Sequence, residues 1–359
     1  MVSFSSSKGK SFIGVDLGSG SVKMAQLRTS AEAMEILALA QAQIDLPPSA
    51  DQHIRLEAQA QQVRRLLKEA GFKGRQAVVS LPTESVFLQP IRLPHVAGEQ
   101  LPSLLEQELQ GKLPWNAEPT VMRHILAGTV YAEAGEMQEM LVVAVARKAL
   151  DEYLSALAKA GLDIVAVNIE ACALVECFAR FFRRASDEGR MTLFIDIGSS
   201  STKVVLAQGP KMVFAHNLAL GGNAMDAELA KALKIPLAQA HAVRRKMVGS
   251  QVHTQAEDEL FRLLDVKIAQ ITDDITHCLL YCESAFRNQA VERVIFVGGQ
   301  AHNKRLCQSI AQRLNLPAQV GDPLAGVQRS SQAQETLGET GPCPAWAVAV
   351  GLSLGATLL

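Results

Sequence analysis

The chain has 359 residues, enough for two substantial domains and too many for a small scaffold held together by disulfides. Its 35 basic and 36 acidic residues nearly cancel, so no overall charge attracts it to nucleic acid or to an anionic lipid surface. Hydrophobic residues make up 48% of the chain but aromatic residues only 5%, which is typical of the aliphatic core of an α/β protein.

The N-terminus and the cysteines indicate an intracellular protein. The first ten residues are polar and lack the apolar stretch of a secretory signal. No apolar run reaches the roughly 18 to 20 residues that a membrane span needs. The six cysteines form no paired ligand sets, so reduced thiols are expected. These features predict a cytoplasmic protein.

A short motif near the N-terminus recurs 180 residues later. The sequence DLGSGSVK at 16–23 and the sequence DIGSSSTK at 196–203 are identical at five of eight positions. A short apolar strand precedes each copy, and a second β-like stretch follows it. Each half of the chain is therefore predicted to open with a strand, a Gly/Ser turn and a second strand.

A Gly/Ser turn of this kind is suited to binding phosphate, because glycine lets backbone N–H groups approach an anion and serine hydroxyls add donors. A P-loop is excluded because Phe4 stands where the first glycine is needed, and the dinucleotide fingerprint fails because Lys23 replaces its third glycine. Two such turns facing one cleft would hold a triphosphate from both sides. The predicted phosphate-binding residues are Gly18, Ser19, Gly20, Ser21, Lys23, Gly198, Ser199, Ser200, Ser201, Thr202 and Lys203.

Each copy begins with an aspartate at the end of its first strand. The carboxylates of Asp16 and Asp196 can hold a hydrated Mg²⁺ beside the phosphates. Capping of its own turn is the alternative role for each of them. Lys23 is expected to be the stronger charge partner and Lys203 the weaker one, since a strand lysine is usually solvated.

A third motif follows both copies. Residues 291–300 form an apolar strand that ends in Gly298 and Gly299, and glycine at a strand end lets a flat ring lie against the backbone. A simple strand-to-helix turn is the alternative. Because of its place in the chain, we predict an adenosine pocket that includes Gly298, Gly299 and Gln300.

The remaining patterns predict the domain organisation. Residues 52–70 have helix-like spacing, 75–94 form two β runs, and 223–287 are helical in pattern. A strand-rich segment with its own helix interrupts the first domain. We predict a first nucleotide-binding subdomain over 1–83 and 163–187, an inserted subdomain over 84–162, a second nucleotide-binding subdomain over 188–222 and 288–359, and a mainly helical subdomain over 223–287.

In this order, the three motifs resemble the phosphate 1, phosphate 2 and adenosine motifs of the actin/Hsp70/sugar-kinase superfamily. Within it, the chain is similar to the FtsA family and, more closely, to the PilM family of type IV pilus assembly proteins. Segments that carry this resemblance include AVVSLP at 77–82, KLPWNAE at 112–118 and LALGGN at 218–223. The resemblance implies an actin-like (ribonuclease H-like) α/β fold of two duplicated domains with inserted subdomains, and ATP and Mg²⁺ as cofactors.

The resemblance also implies further site residues. Glu170, at the crossing between the two domains, would orient the attacking water as the catalytic residue. A helix N-terminal glutamate stabilised by the helix dipole is the alternative. The superfamily's ribose-binding glutamate and lysine are replaced here by His241 and by Arg244 or Arg245.

The function that the resemblance implies is an ATP-binding scaffold of type IV pilus assembly with at most slow ATPase activity. It would be cytoplasmic, recruited to the cytoplasmic face of the inner membrane, and would bind the short cytoplasmic tail of a PilN-like membrane protein near the inserted subdomain. Other pilus assembly proteins are further expected partners, self-association is possible, and membrane contact is expected only through partners. An FtsA-like cell-division filament protein and a small-molecule kinase of the same superfamily are the alternatives; nucleic acid is not an expected partner.

Overall fold

The computed structural model describes residues 11–30, 33–96, 99–115, 118–132, 135–247, 254–286, 289–338 and 341–355. Within these residues the strands form two five-stranded sheets and one three-stranded sheet. Parts of the predicted subdomains lie outside the described residues, namely 1–10, 31–32, 97–98, 116–117, 133–134, 248–253, 287–288, 339–340 and 356–359.

The first sheet has the strand order β3-β2-β1-β4-β8. Strands β1 to β3 form an antiparallel meander, and β4 and β8 continue the sheet parallel to β1. Helix α1, Gln52–Glu69, connects β3 to β4 and covers one face through Val63, Leu66 and Leu67. The strands are β1 Ile13–Leu17, β2 Ser21–Thr29, β3 Met34–Gln43, β4 Gln76–Leu81 and β8 Asp163–Ile169.

The second sheet repeats the first. Its order is β11-β10-β9-β12-β13, again an antiparallel meander followed by two parallel strands. The duplicated α/β architecture predicted from the repeated motif is therefore confirmed. The strands are β9 Met191–Ile197, β10 Thr202–Gln208, β11 Lys211–Leu218, β12 Val291–Val297 and β13 Ala318–Val320.

A separate three-stranded sheet lies between β4 and β8 in the chain. It consists of β5 Phe87–Pro94, β6 Thr120–Ala132 and β7 Gly135–Ala146, and helix α2, Leu101–Leu109, covers one face of it. The helix that follows, α3 Arg147–Lys159, instead buries Leu150, Tyr153 and Leu157 in the core of the first sheet. Of the segment predicted as an insertion, only the part up to β7 forms the separate sheet, because the apolar face of α3 continues the core beside α1.

Two helices join the halves of the molecule. Helix α4, Glu170–Ala179, and helix α10, Ala347–Ser353, share one hydrophobic core with residues of both five-stranded sheets. They pack very closely, since a Cβ added to Gly351 would lie 1.8 Å from the carbonyl oxygen of Ala173. The other helices are α5 Gly222–Leu233, α6 Leu237–Lys246, α7 Gln255–Ala285, α8 Lys304–Leu314 and α9 Ser331–Leu337. Across the described ranges, no helix combines the length and apolarity needed to cross a bilayer.

Candidate functional site

The two repeated turns face each other across a cleft between the halves of the molecule. The structure brings most of the predicted site residues to this cleft, together with the segment 82–84 and residues next to α10. The predicted residues that line it are Asp16, Gly18, Ser19, Gly20, Ser21, Lys23, Glu170, Asp196, Gly198, Ser199, Ser200, Ser201, Lys203, Gly298 and Gly299.

The aspartate and lysine of each repeat are direct neighbours across a hairpin. Asp16 pairs with Lys23 in the β1–β2 register, and Asp196 pairs with Lys203 in the β9–β10 register. The carboxylate and ammonium groups lie 3.8 Å apart in the first hairpin and 3.4 Å apart in the second. The repeat thus preserves a cross-strand ion pair at the mouth of each turn.

Side chains of α1 hold the first turn in place. Gln59 Nε2 donates to the carbonyl oxygens of Leu17 and Gly18 at 3.0 and 3.1 Å, and Arg55 Nη1 donates to the carbonyl of Ser19 at 2.9 Å. The sequence analysis missed both residues, although a buried glutamine within an apolar helix face is a recognisable signal. Their bonds draw the turn's carbonyls toward α1.

The start of α5 holds the second turn. The backbone N–H of Gly222 donates to the Gly198 carbonyl at 3.0 Å, and that of Asn223 donates to the Ser199 carbonyl at 2.8 Å. A Cβ on Gly221 would lie within 2.8 Å of both carbonyl oxygens, so this close approach requires glycine. The N-terminus of α5 is therefore used to fix the turn.

Thr202 is not brought to the cleft. It is completely buried, and its hydroxyl donates to the carbonyl oxygen of Leu220 at 2.6 Å. Its hydroxyl is thus engaged away from the residues that line the cleft, and the predicted phosphate contact of Thr202 stays a prediction. Its role is to tie β10 to the segment that leads into α5.

Glu170 and Lys203 meet at the floor of the cleft. Glu170 is the first residue of α4, and its Oε2 accepts hydrogen bonds from Thr83 Oγ1 and Lys203 Nζ, both at 2.6 Å. The expectation that Lys203 is solvated is wrong, because this lysine is buried between Glu170 and Asp196. Burial by itself would lower the pKa of Lys203, but the two carboxylates outweigh it and hold the pKa above its ordinary value.

The two turns touch across the cleft. Ser200 Oγ donates to Glu84 Oε1 at 2.9 Å, and a Cβ on Gly20 would lie 2.6 Å from Ser199 Oγ. The remaining cavity has a volume of about 90 Å³, below the several hundred Å³ of a typical small-molecule pocket. Entry of a large ligand therefore requires the two halves to separate.

Gly298 is needed for a reason that the sequence did not show. Its φ is +86°, and an added Cβ would lie 2.2 Å from Asp196 Oδ1. The glycine thus lets β12 end directly against the carboxylate of the second hairpin. Gly299 lines the cleft, and a Cβ added to it would meet no other atom within 4 Å, so the backbone is unobstructed on that side.

The predicted ribose contacts are arranged differently from one another. Arg244 is buried and forms a two-point ion pair with Asp226, with N···O distances of 2.6 and 3.0 Å, and its Nη1 also donates to Gln300. His241 Nδ1 lies 2.8 Å from the same Asp226. Arg245 is exposed. Arg244 therefore holds the side chain of Gln300 in place. Neither Arg244 nor Arg245 lines the cleft.

Two repeated sheets with a phosphate-type hairpin in each, closing on one cleft, define an actin-like protein. The chain belongs to the family of the type IV pilus assembly protein PilM, whose model matches residues 14–357.

Solved structures with the same fold include three that span nearly the whole chain. A PilM–PilN type IV pilus biogenesis complex has a TM-score of 0.77 and 22% identity, covering 96% of this chain and 97% of that chain. The ethanolamine utilization protein EutJ from Carboxydothermus hydrogenoformans has a TM-score of 0.54 and 15% identity, covering 97% and 90%. MreB 5 of Spiroplasma citri bound to AMPPNP has a TM-score of 0.50 and 14% identity, covering 96% and 95%.

Replacing Gly298 by alanine tests the contact between β12 and Asp196. The substitution forces a left-handed backbone onto alanine and drives its Cβ into the carboxylate, so we expect a loss of about 1 to 3 kcal/mol in the free energy of unfolding. Gly299→Ala is the matched control and should change it by less than about 0.5 kcal/mol. Urea unfolding followed by circular dichroism measures both. Equal effects of the two substitutions would contradict the close contact.

Proposed function

We propose that the chain binds ATP in the cleft and the short tail of a PilN-like membrane protein in a groove beside it, and thereby serves as a scaffold of type IV pilus assembly at the cytoplasmic face of the inner membrane. The observation that carries the nucleotide part is the convergence of both hairpins with Gly298 and Gly299 on one cleft. Phosphate donors then lie on two sides of the cleft. The backbone of Gly298 and Gly299 lies where the adenosine would bind.

Lys23 supplies the positive charge of the first hairpin. Its ammonium group lies 3.0 Å from Ser21 Oγ, lines the cleft and is 3.8 Å from Asp16, beyond the distance of a short hydrogen bond. It therefore has donors left for a phosphate oxygen. The AMPPNP carried by the related MreB 5 supports a nucleotide as the ligand of a cleft of this fold.

The carboxylates of the cleft favour binding over turnover. Glu170 Oε2 already accepts two hydrogen bonds, and Glu84 accepts one from Ser200. A base that activates water or a substrate hydroxyl needs a free carboxylate oxygen directed at the reacting proton. With Oε2 of Glu170 engaged by Thr83 and Lys203, only its Oε1 could accept that proton, which favours at most a slow ATPase.

A groove next to the cleft is suited to an extended peptide. It runs between the start of α1, the segment 81–85 and the β7–α3 junction, and its volume is about 400 Å³. Leu56, Val145 and Ala149 supply apolar lining, while Asp51, Glu84 and Glu152 supply carboxylates. Arg55 also lines the groove, but the three carboxylates outnumber it, so the groove favours a tail with apolar side chains and a positive charge. The PilM–PilN complex, similar to this chain along its length, supports a PilN-like source for that tail.

The groove and the cleft share a wall. Ser19, Glu84 and Ser200 line both, and the hydrogen bond between Glu84 and Ser200 crosses from one half to the other. A nucleotide that separates the two turns would therefore change the groove. By linkage, a bound tail would change nucleotide affinity by the same factor. Binding of a membrane protein's tail would also bring this chain to the membrane.

The nucleotide proposal is tested by Lys23→Met. Loss of a charge-assisted contact to phosphate should weaken binding of Mg-ATP by about tenfold or more. Lys211→Met, which removes an exposed strand lysine outside the cleft, should leave affinity unchanged. Isothermal titration calorimetry gives the dissociation constants, and circular dichroism verifies folding. Absence of ATP binding to the unaltered chain, or equal affinity of both variants, would refute the proposal.

The tail proposal is tested by placing a large side chain in the groove. The probe is a labelled peptide with the cytoplasmic sequence of the cognate PilN-like protein. Ala149→Arg on α3 should weaken its binding by about tenfold or more, because the arginine side chain occupies the groove and repels a basic tail. Ala158→Arg is the matched control, since Ala158 lies exposed on the same helix outside the groove. Fluorescence anisotropy measures both. If both variants bind as the unaltered chain does, the tail docks elsewhere.

A further inference from the structure

The floor of the cleft contains an unusual set of paired charges. Asp16 lies 3.8 Å from Lys23, Asp196 lies 3.4 Å from Lys203, and Lys203 lies 2.6 Å from Glu170. All five side chains are nearly buried. Lys203 of the second hairpin therefore bridges the carboxylates of Glu170 and Asp196, while Lys23 pairs with Asp16 in the first hairpin.

A magnesium ion does not fit between the carboxylates of Asp196 and Glu170. Mg²⁺ takes about six oxygen ligands at roughly 2.0 to 2.1 Å, several of them water, and needs free carboxylate oxygens to hold that shell. The position between Asp196 and Glu170 is filled by Lys203 Nζ. Among the described residues, no group of three or more His, Cys, Asp or Glu side chains is placed to hold a metal. The pairing of Asp196 with Lys203 thus disagrees with the Mg²⁺ role predicted for Asp196, whereas Asp16 lies 3.8 Å from Lys23 and its predicted role stays a prediction.

Lys203 occupies the cleft as a fixed positive charge. Its backbone is held in β10 opposite Asp196, and its side chain, although only 11% exposed, lines the cleft. An ammonium group has three donors. Glu170 and Asp196 use two of them, which leaves one for a phosphate oxygen. A buried ammonium beside phosphate neutralises charge more strongly than one in water, since the local dielectric constant is lower.

We infer that Lys203 takes the place of the divalent cation in this cleft, so that ATP binds here without requiring magnesium. Lys203 supplies the positive charge between the two halves, and Lys23 supplies it from the first hairpin. This inference rests on the proposed binding of ATP in the cleft. It adds that the charge of the phosphates is neutralised by protein ammonium groups, beside the hydrogen-bond donors of the two turns.

The test compares ATP affinity in excess Mg²⁺ with affinity in EDTA, by isothermal titration calorimetry. For the unaltered chain we expect the two dissociation constants to agree within about threefold. For Lys203→Met we expect binding in EDTA to weaken by about tenfold or more, and Mg²⁺ to restore most of the loss, because Glu170 and Asp196 are then free to hold a hydrated ion. Lys211→Met should behave as the unaltered chain does.

The outcomes separate this inference from the function on which it rests. If the unaltered chain binds ATP only when Mg²⁺ is present, ATP binding stands and the role of Lys203 is refuted. The role of Lys203 is likewise refuted if ATP binding depends on Mg²⁺ no more strongly in Lys203→Met than in the unaltered chain. If the unaltered chain binds ATP in neither buffer, the proposed nucleotide function fails, and the inference with it. Should Lys203→Met not fold, Lys203→Gln removes the charge but keeps a hydrogen-bond donor for Glu170, and the comparison on the unaltered chain needs no variant.

Discussion

The ion pair between Lys203 and Glu170 joins the two halves of the molecule at the floor of the cleft. Burying two charges costs several kcal/mol of desolvation each, and that cost is offset only when the partners are well placed and further bonded. Here Thr83 and Asp196 provide the additional partners. Removing one member would leave an unpaired buried charge, so the pair sets the spacing at which both hairpins face the cleft. The geometry of the phosphate turns depends on that spacing.

The packing of α10 against α4 and β1 gives the pair a rigid base. A Cβ on Gly14 would lie 2.1 Å from the carbonyl of Ala349, and one on Gly351 would lie 1.8 Å from that of Ala173. Glycines at these two contacts let helix and strand backbones touch, which leaves little freedom for sliding. Movement between the halves is therefore concentrated at the cleft mouth, where single polar contacts such as Ser200 to Glu84 hold the turns together. The adjoining groove shares lining residues with this mouth.

Much of this architecture can be predicted from the repeat. The matching Asp and Lys positions locate both hairpins, and their order before Gly298 carries the resemblance that implies the fold class. The burial of Lys203 could not be predicted, because its partner Glu170 comes from a different part of the chain and a lone strand lysine gives no sign of it. The need for glycine at position 298 could not be predicted either, because it arises from contact with Asp196 in the neighbouring strand. The ion pair of Arg244 with Asp226 could not be predicted either, because the two residues lie on different helices. Local pattern identifies elements and turns, whereas the partners of buried charges depend on tertiary contacts.

The most direct test of this account is a crystal structure of the chain with bound ATP. The account predicts the triphosphate between residues 18–21 and 198–201, with the adenosine against Gly298 and Gly299 and Lys203 still in contact with Glu170. A nucleotide held by one hairpin alone, or bound outside the cleft, would contradict the claim that the two repeated hairpins form a single site.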